Sequence, residues 1–137
     1  MYTVGYDIGT RFIKICLAKD GEAAGFEVTE PGRDIRKAID SAYRKLLKKS
    51  GLRSWKVGAS AATGFGASYV KRVKFRIDLP HCIARGAFAA DSSVGTVIDA
   101  GGLFINIVQV GEQGRVVDSV ENEKCAAGSG RFLETIA

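Results

Sequence analysis

Two stretches of the chain repeat one order of apolar and polar positions. Placing residues 6–22 over residues 98–114 aligns Asp7 with Asp99 and Gly9 with Gly101. The same alignment matches three apolar pairs: Phe12 with Phe104, Ile13 with Ile105, and Ile15 with Ile107. Each copy reads as a strand ending in Asp-x-Gly, a tight turn, a second strand, a turn rich in glycine and acidic residues, and a third strand. The pattern therefore predicts a duplicated three-stranded meander.

The segment between the two copies carries a helical pattern. Its apolar residues recur at helical spacing, at Ile35, Ala38, Ile39, Ala42, Leu46 and Leu47. Asp34 is suited to cap the start of this helix, and Gly51 is suited to end it. Further along the chain we predict a strand over residues 55–60, a loop over 62–66 and a second helix over 80–91. Strands that precede helices in this way indicate an α/β chain.

The formal net charge of +5 is concentrated in the same segment. Nine basic residues lie between Arg33 and Lys56, and a second basic cluster lies over residues 71–76. A basic surface of this kind is one signature of nucleic-acid binding. The apolar positions of the predicted helix, however, place its basic side chains on the opposite, solvated face. We therefore expect no nucleic-acid partner.

Composition limits the class of protein. The 137 residues are 46% hydrophobic and 26% charged, which is typical of a globular domain. No run approaches the roughly 20 apolar residues of a membrane helix, and the amino terminus has no basic leader, so we expect a cytoplasmic protein with no membrane partner. The three cysteines, Cys16, Cys82 and Cys125, are widely spaced and form no C-x-x-C pair. Neither a disulfide framework nor a structural zinc site is indicated, and any cysteine chemistry is single-site or shared between chains.

The two Asp-x-Gly turns carry candidate chemistry. Glycine lets the backbone turn sharply and bring its N–H groups close to phosphate oxygens. An aspartate at the strand end can hold the hydration shell of a magnesium ion or orient an attacking water. Either turn alone is more simply a hairpin turn. The matched pair favours phosphate binding, in which two copies hold a triphosphate from both sides.

Five motifs, in order along the chain, resemble one family of ATPases. They are Asp7-Ile8-Gly9-Thr10, Ala62-Thr63-Gly64-Phe65-Gly66, His81 with Gly86-Ala87, Ile98-Asp99-Ala100-Gly101-Gly102, and residues 122–134, which read NEKCAAGSGRFLE. The two Asp-x-Gly motifs resemble the phosphate-1 and phosphate-2 loops of the superfamily that contains actin, Hsp70 and the sugar kinases. The cysteine motif resembles the hallmark of the activator family of 2-hydroxyacyl-CoA dehydratases and benzoyl-CoA reductases.

The resemblance implies a fold and a set of nucleotide-binding residues. The fold is the actin-like, ribonuclease-H-like α/β fold, with residues 1–93 as a complete ATPase domain I and residues 94–137 as the opening meander and signature helix of domain II. The cofactor is ATP or ADP with Mg²⁺, which Asp7 and Asp99 position together with water. The phosphate-binding residues are Gly9, Thr10, Gly101 and Gly102. Lys14 adds charge or is simply solvated, and Arg11 replaces a small residue usual at that position.

The resemblance also implies an iron-sulfur site. Members of the family couple ATP hydrolysis to electron transfer into a dehydratase or reductase partner, so the chain is expected to be a homodimer with a 4Fe-4S cluster between its subunits. Cys125 is the implied cluster ligand. The N–H groups of Gly128, Ser129 and Gly130, at the start of a helix that Ser129 caps, favour a thiolate and an anionic cluster. Two copies of Cys125 supply only two of the four thiolates of a conventional site.

The other two cysteines have simpler interpretations. Cys16 lies on an apolar strand and suits the role of a small buried side chain. Cys82 and its neighbour His81 point to different faces of the predicted second helix and are interpreted as packing residues. His81 is more suited to helix capping or to a contact between domains than to metal ligation.

Two departures from the family pattern leave other functions open. Leu103 and Phe104 stand where the family usually has Gln-Asp. The family also continues through a second cluster cysteine and an adenosine loop, so we expect this chain to be inactive alone. One alternative is a degenerate or truncated ATPase-fold module used for binding or assembly, which the Leu103-Phe104 pair favours. The other is a sugar-kinase-like phosphotransferase, which the cysteine motif disfavours.

Overall fold

A computed structural model describes residues 1–71 and 73–122. The elements in chain order are β1 (Tyr2–Ile8), β2 (Ile13–Lys19), β3 (Glu22–Thr29), α1 (Ile35–Lys49), β4 (Val57–Thr63), β5 (Phe75–Arg76), α2 (Leu79–Ala90), β6 (Thr96–Ala100), β7 (Ile105–Val110) and β8 (Val116–Glu121). Short 3₁₀ turns lie at Ser54–Lys56, Ala67–Tyr69 and Glu112–Gly114. Among the helices in the described ranges, none is both long and apolar enough to cross a membrane.

The first sheet has the strand order β3-β2-β1-β4-β5. Strands β1, β2 and β3 form an antiparallel meander, whereas β4 runs parallel to β1 and β5 runs parallel to β4. The β2–β3 turn has positive φ at both Asp20 (53°) and Gly21 (92°), as a two-residue hairpin turn of this twist requires. Alternate residues of β1 and β2 are buried, so one face of the sheet is apolar.

Helix α1 covers that apolar face. The Asp34 side chain accepts a hydrogen bond from the Lys37 amide at 3.1 Å, and Gly51 follows the helix at φ 64°. The cap and the terminating glycine both confirm the sequence prediction. The buried core joins residues of β1, β2, α1 and β4, with Val70: Val4, Tyr6, Ile8, Ile13, Ile15, Leu17, Ile39, Ala42, Leu46, Ala62 and Val70.

The second sheet has the order β6-β7-β8 and is antiparallel throughout. One face of it packs against α2, in a cluster built on Ala84, Val108 and Val110. The β7–β8 turn is held by a hydrogen bond from the Gly111 amide to the Arg115 carbonyl at 2.8 Å. These three strands are the second copy of the predicted meander.

The two meanders share one register. Asp7 lies opposite Lys14 in β1 and β2, and Asp99 lies opposite Asn106 in β6 and β7. Each second strand also has an irregularity at the same place, after Leu17 in the first copy and after Gln109 in the second. The internal repeat in the sequence is therefore confirmed as a repeat of strand pairing.

Two boundaries differ from the sequence prediction. The strand predicted over residues 55–60 is wrong at both ends, because residues 54–56 form a 3₁₀ turn and β4 extends to Thr63. Trp55 is 67% exposed and is stacked under the Arg53 guanidinium instead of entering the sheet.

The chain divides into compact units between Ile77 and Asp78, whereas the sequence placed the division after residue 93. The difference is α2, which packs on β7; the assignment of these units to ATPase domains I and II stays a prediction.

Candidate functional site

The first Asp-x-Gly turn closes tightly between β1 and β2. The Gly9 amide donates a hydrogen bond to the Phe12 carbonyl at 3.0 Å. A Cβ built on Gly9 would lie 3.0 Å from that same carbonyl oxygen, which is tighter than nine in ten real Cβ contacts. Glycine is therefore the residue that lets this turn close without displacing the backbone.

A lysine neutralises the aspartate of this turn. Asp7 is the penultimate residue of β1, and its Oδ2 lies 2.9 Å from the Nζ of Lys14 on the neighbouring strand. The carboxylate is about one third exposed (32%), and the Lys14 side chain is more exposed (56%). The pair is open enough to exchange partners, and an ammonium group near a carboxylate at a strand end is suited to contact a bound phosphate.

The carboxyl end of β4 lies beside Asp7. Asp7 is paired with Thr63 in the parallel register of β1 and β4, and Gly64 follows at φ 84°. A Cβ on Gly64 would stand 2.7 Å from both the Oδ1 of Asp7 and the carbonyl oxygen of Ile8. The Gly66 amide then donates to that Ile8 carbonyl at 2.8 Å. The loop predicted from Ala62-Thr63-Gly64-Phe65-Gly66 thus wraps the end of β1, where ligands bind in open α/β sheets.

A cavity of about 360 Å³ opens beside the first turn. Gly9 and Thr10 line it together with Gly32 and Arg33 from the loop before α1. Arg11 is directed elsewhere, because its guanidinium pairs with Glu30 at 3.2 Å and lies over the Phe12 ring. Of the residues predicted on this turn, the structure brings Gly9 and Thr10 together at the cavity, and it pairs Arg11 with a surface glutamate.

The second Asp-x-Gly turn repeats the geometry of the first. The Gly101 amide donates to the Phe104 carbonyl at 2.8 Å, and a Cβ on Gly101 would lie 3.0 Å from that oxygen. Asn106 takes the place that Lys14 has in the first copy, and it is almost completely buried (2% exposed). Leu103 is 39% exposed at the tip of the turn, although it is apolar.

The predicted cluster residues Cys125, Gly128, Ser129 and Gly130 lie outside the described residues. Within residues 1–71 and 73–122, no group of three or more His, Cys, Asp or Glu side chains is arranged to hold a metal ion. Cys16 is half-buried, and burial raises the pKa of its thiol. The exposed His81 contacts the carboxylate of Asp78, the residue that precedes α2, as expected for a residue at a helix end.

Sequence reasoning missed two polar residues beside the turns. Thr63 was noted only as part of a glycine-containing motif, and Asn106 was not singled out. Both are buried: Thr63 is 8% exposed and Asn106 is 2% exposed. The repeat alignment contained the signal for Asn106, because it places this residue on Lys14 in an otherwise apolar strand.

Comparison with known proteins assigns the family. The sequence model of the BadF/BadG/BcrA/BcrD ATPase family matches residues 4–137. The activator of lactoyl-CoA dehydratase from Anaerotignum propionicum is 32% identical over 141 residues, covering 100% of this chain and 53% of the relative. A subunit of the benzoyl-CoA reductase from Thauera aromatica is 33% identical, over 98% of this chain and 49% of the relative.

A solved structure gives the fold independently. The activator of the 2-hydroxyisocaproyl-CoA dehydratase from Clostridium difficile, with bound ADPNP, superposes with a TM-score of 0.91 at 31% identity, over 100% of this chain and 51% of that one. The chain therefore spans about half the length of the curated relatives it matches. These matches, together with the two Asp-x-Gly turns, establish that the chain has an actin-like ATPase fold and belongs to the BadF/BadG/BcrA/BcrD ATPase family.

Proposed function

We propose that this chain binds a magnesium-nucleoside triphosphate through its two Asp-x-Gly turns. The observation that carries the proposal is the identity of the two turns, each closed by a glycine amide that donates to a phenylalanine carbonyl three residues later. Hairpin formation alone does not require two turns to have the same glycine-to-phenylalanine hydrogen bond, the same preceding aspartate and the same strand register. The ADPNP bound to the Clostridium difficile activator supports a nucleotide as the ligand.

The residues of the first turn fit a phosphate and its metal ion. Gly9 carries no Cβ, which lets the turn close and lets a phosphate approach its backbone closely. Asp7 is an oxygen donor of the kind that Mg²⁺ and its water shell prefer, and Lys14 is poised beside it as a phosphate contact. Magnesium, when bound, supplies charge neutralisation at the phosphate oxygens.

The second turn supplies the same groups with one difference. Gly101 and Gly102 present backbone at the turn, and Asp99 is the penultimate residue of β6, as Asp7 is of β1. The neutral Asn106 stands opposite Asp99, so this copy carries no lysine at the equivalent position. Asp99 is therefore the better candidate to hold the metal's hydration shell, because no ammonium group shares its strand register.

We further propose that the whole protein is an ATP-driven electron-transfer activator of a dehydratase or reductase partner. The names of the Anaerotignum and Thauera relatives support this class of partner. In this proposal, Cys125 of two subunits would hold a shared 4Fe-4S cluster, and the N–H groups of Gly128, Ser129 and Gly130 would favour the Cys125 thiolate. Two copies of this chain together supply two of the four thiolate positions. The cytoplasm is the proposed location, since reducing conditions there keep such thiols free.

A second candidate function is a nucleotide-binding module without turnover. The apolar Leu103-Phe104 pair favours it, because Leu103 is well exposed at the turn where the resembled family carries polar residues. Under this alternative, the two turns still bind phosphate but no residue on the second turn orients water.

The test is a titration of the isotope-labelled chain with Mg-ADPNP, followed by backbone amide chemical shifts. Binding predicts saturable shifts at Gly9, Thr10, Gly101 and Gly102 in the wild-type chain, and the loss of these shifts in Asp7→Ala. EDTA serves as the control for the metal, and adenosine serves as the control for the phosphates. Saturable shifts that survive without magnesium or in Asp7→Ala would contradict the proposal.

A further inference from the structure

Two buried side-chain atoms within the described ranges have no hydrogen-bond partner. They are the hydroxyl oxygen of Thr63 and the amide nitrogen of Asn106. Both residues are more than nine-tenths buried. A buried polar group without a partner costs free energy, and folded proteins contain few of them. Valine has nearly the shape of threonine, and leucine has nearly the shape of asparagine, so apolar side chains of the same size would remove the cost.

Each of these atoms belongs to the direct cross-strand neighbour of one of the two aspartates. Thr63 is paired with Asp7 across β4 and β1, and Asn106 is paired with Asp99 across β7 and β6. Paired residues point to the same face of a sheet and are neighbours on it. The pairing is parallel in one case and antiparallel in the other, so the coincidence does not follow from the internal repeat.

Burial limits which groups the Thr63 hydroxyl and the Asn106 amide can contact. Their polar atoms are inaccessible to solvent, so a bound nucleotide contacts neither atom while the side chains keep their places. The side chain of Asp7, by contrast, is 32% exposed, so a ligand can reach its carboxylate. An ionised carboxylate can accept several hydrogen bonds at once, so it can receive a buried donor on one side and a metal-bound water on the other.

We infer that Thr63 and Asn106 are positioning residues, which donate hydrogen bonds to the carboxylates of Asp7 and Asp99 when Mg-nucleotide is bound. This inference rests on the proposed nucleotide binding and assigns it two further residues. In the first unit, Lys14 holds Oδ2 of Asp7 at 2.9 Å, and Oδ1 faces Gly64. A phosphate competes for the Lys14 ammonium group, and the Thr63 hydroxyl then keeps the carboxylate oriented.

Asn106 does the same for Asp99 without adding charge. Its amide is a neutral donor, whereas the equivalent Lys14 is a cation. Asp99 is therefore oriented while its negative charge stays available to the metal's water shell. The two copies therefore differ at one position. In the first, the aspartate is paired with a lysine that can contact a phosphate, and in the second, the aspartate is oriented by a neutral amide.

The test compares stability with affinity in the 137-residue chain, using Thr63→Val and Thr63→Ser. Thr63→Val removes the unpartnered hydroxyl at constant shape, so the melting temperature of the nucleotide-free chain is expected to rise. Its dissociation constant for Mg-ADPNP, from amide shifts at Gly9 and Thr10, is expected to increase about tenfold or more, because a hydrogen bond to a charged group is lost. Thr63→Ser restores the donor and is expected to bind as the wild type does.

The matched control is Thr3→Val, the same exchange on the same strand as Asp7 but near its other end. For the second unit, Asn106→Leu removes the amide donor at nearly constant size, and it should weaken the response of Gly101 and Gly102. Wild-type affinity in Thr63→Val and in a folded Asn106 variant would overturn this inference alone. No saturable shift in the wild-type chain would overturn the proposed nucleotide binding, and this inference with it.

Discussion

Gly64 lies so close to Asp7 that a Cβ on the glycine would stand 2.7 Å from the Oδ1 of the aspartate. The contact joins two motifs that are far apart in the sequence. It arises because β4 runs parallel to β1, so both strands end at the same edge of the sheet. The glycine after β4 is therefore part of the surroundings of the first Asp-x-Gly turn, as Gly9 is.

Replacing Gly64 with alanine is expected to destabilise the chain and displace the Asp7 carboxylate. The residue has φ 84°, and the new methyl group would collide with the Ile8 carbonyl as well as with Asp7. A strained backbone conformation alone costs about 1–3 kcal/mol. Urea unfolding measures the loss of stability. Gly5→Ala is the control, because a Cβ there has nothing within 4 Å; equal effects of the two substitutions would contradict the prediction.

The sequence was sufficient where local chemistry decides the structure. Asp34 caps the start of α1 and Gly51 follows its end, as predicted, because an N-cap and a left-handed glycine act on the helix next to them. The start of β4 was not predicted, because Val57 enters the sheet through its pairing with Tyr2, far away in the sequence. Thr63 was overlooked for the same reason: its position opposite Asp7 exists only in the folded sheet.

Glu27 is expected to make the stability of the chain depend on pH in the acidic range. Lys45 and then Lys49 of α1 hydrogen-bond its carboxylate, the latter at 2.7 Å, and lower the pKa of Glu27. A pKa lowered by folding contributes stability that is present above the unfolded value of about 4.3 and is lost as the pH falls through the folded value. Glu27→Gln should lower the melting temperature at pH 7 and weaken its decline between about pH 5 and pH 3.

The control for Glu27 is Glu22→Gln at the start of the same strand, which should leave the pH profile unchanged. Glu22 is exposed, whereas Glu27 is 5% exposed beneath the helix. A Glu27→Gln variant with the wild-type melting temperature at both ends of this pH range would show that the ion pairs add nothing to stability.

Asp7→Ala and Asp99→Ala are each expected to abolish the binding of Mg-ATP to this chain. Each substitution removes a carboxylate aimed at the metal's water shell, and Asp7→Ala also releases Lys14 from its 2.9 Å ion pair. Calorimetric titration with Mg-ATP measures the change. Asp118→Ala, on the exposed strand β8, is the control. Unchanged affinity in both aspartate variants would mean that the two turns are hairpins without a nucleotide.

The wild-type chain itself is expected to bind Mg-ATP weakly and to hydrolyse it negligibly. It spans about half the length of its curated relatives, and phosphate contacts alone provide only part of the binding free energy of a nucleotide. Calorimetry measures the affinity, and release of inorganic phosphate measures turnover. Tight binding with steady turnover would contradict this prediction and would also remove the basis for a module without catalysis.

Cys125 is expected to react first among the three cysteines of the chain. The amides of Gly128, Ser129 and Gly130, at the start of the predicted helix, favour the thiolate, and the next carboxylate is Glu134. Cys16 provides the internal contrast, because burial raises the pKa of its thiol. Alkylation across a pH series under anaerobic conditions should therefore label Cys125 well below the free-thiol pKa of about 8.5, and Cys16 far more slowly.

Cluster assembly tests the same cysteine in its proposed role. Anaerobic reconstitution with iron and sulfide should give at best a labile, dimer-bridging cluster, because two chains contribute only two Cys125 thiolates and four are needed. Cys125→Ala should prevent it, whereas Cys16→Ala should leave iron uptake and the dimer unchanged. Iron uptake that survives in Cys125→Ala, or slow alkylation of Cys125, would show that the motif is structural in this chain, because an activated thiolate is the condition for ligating iron at this position.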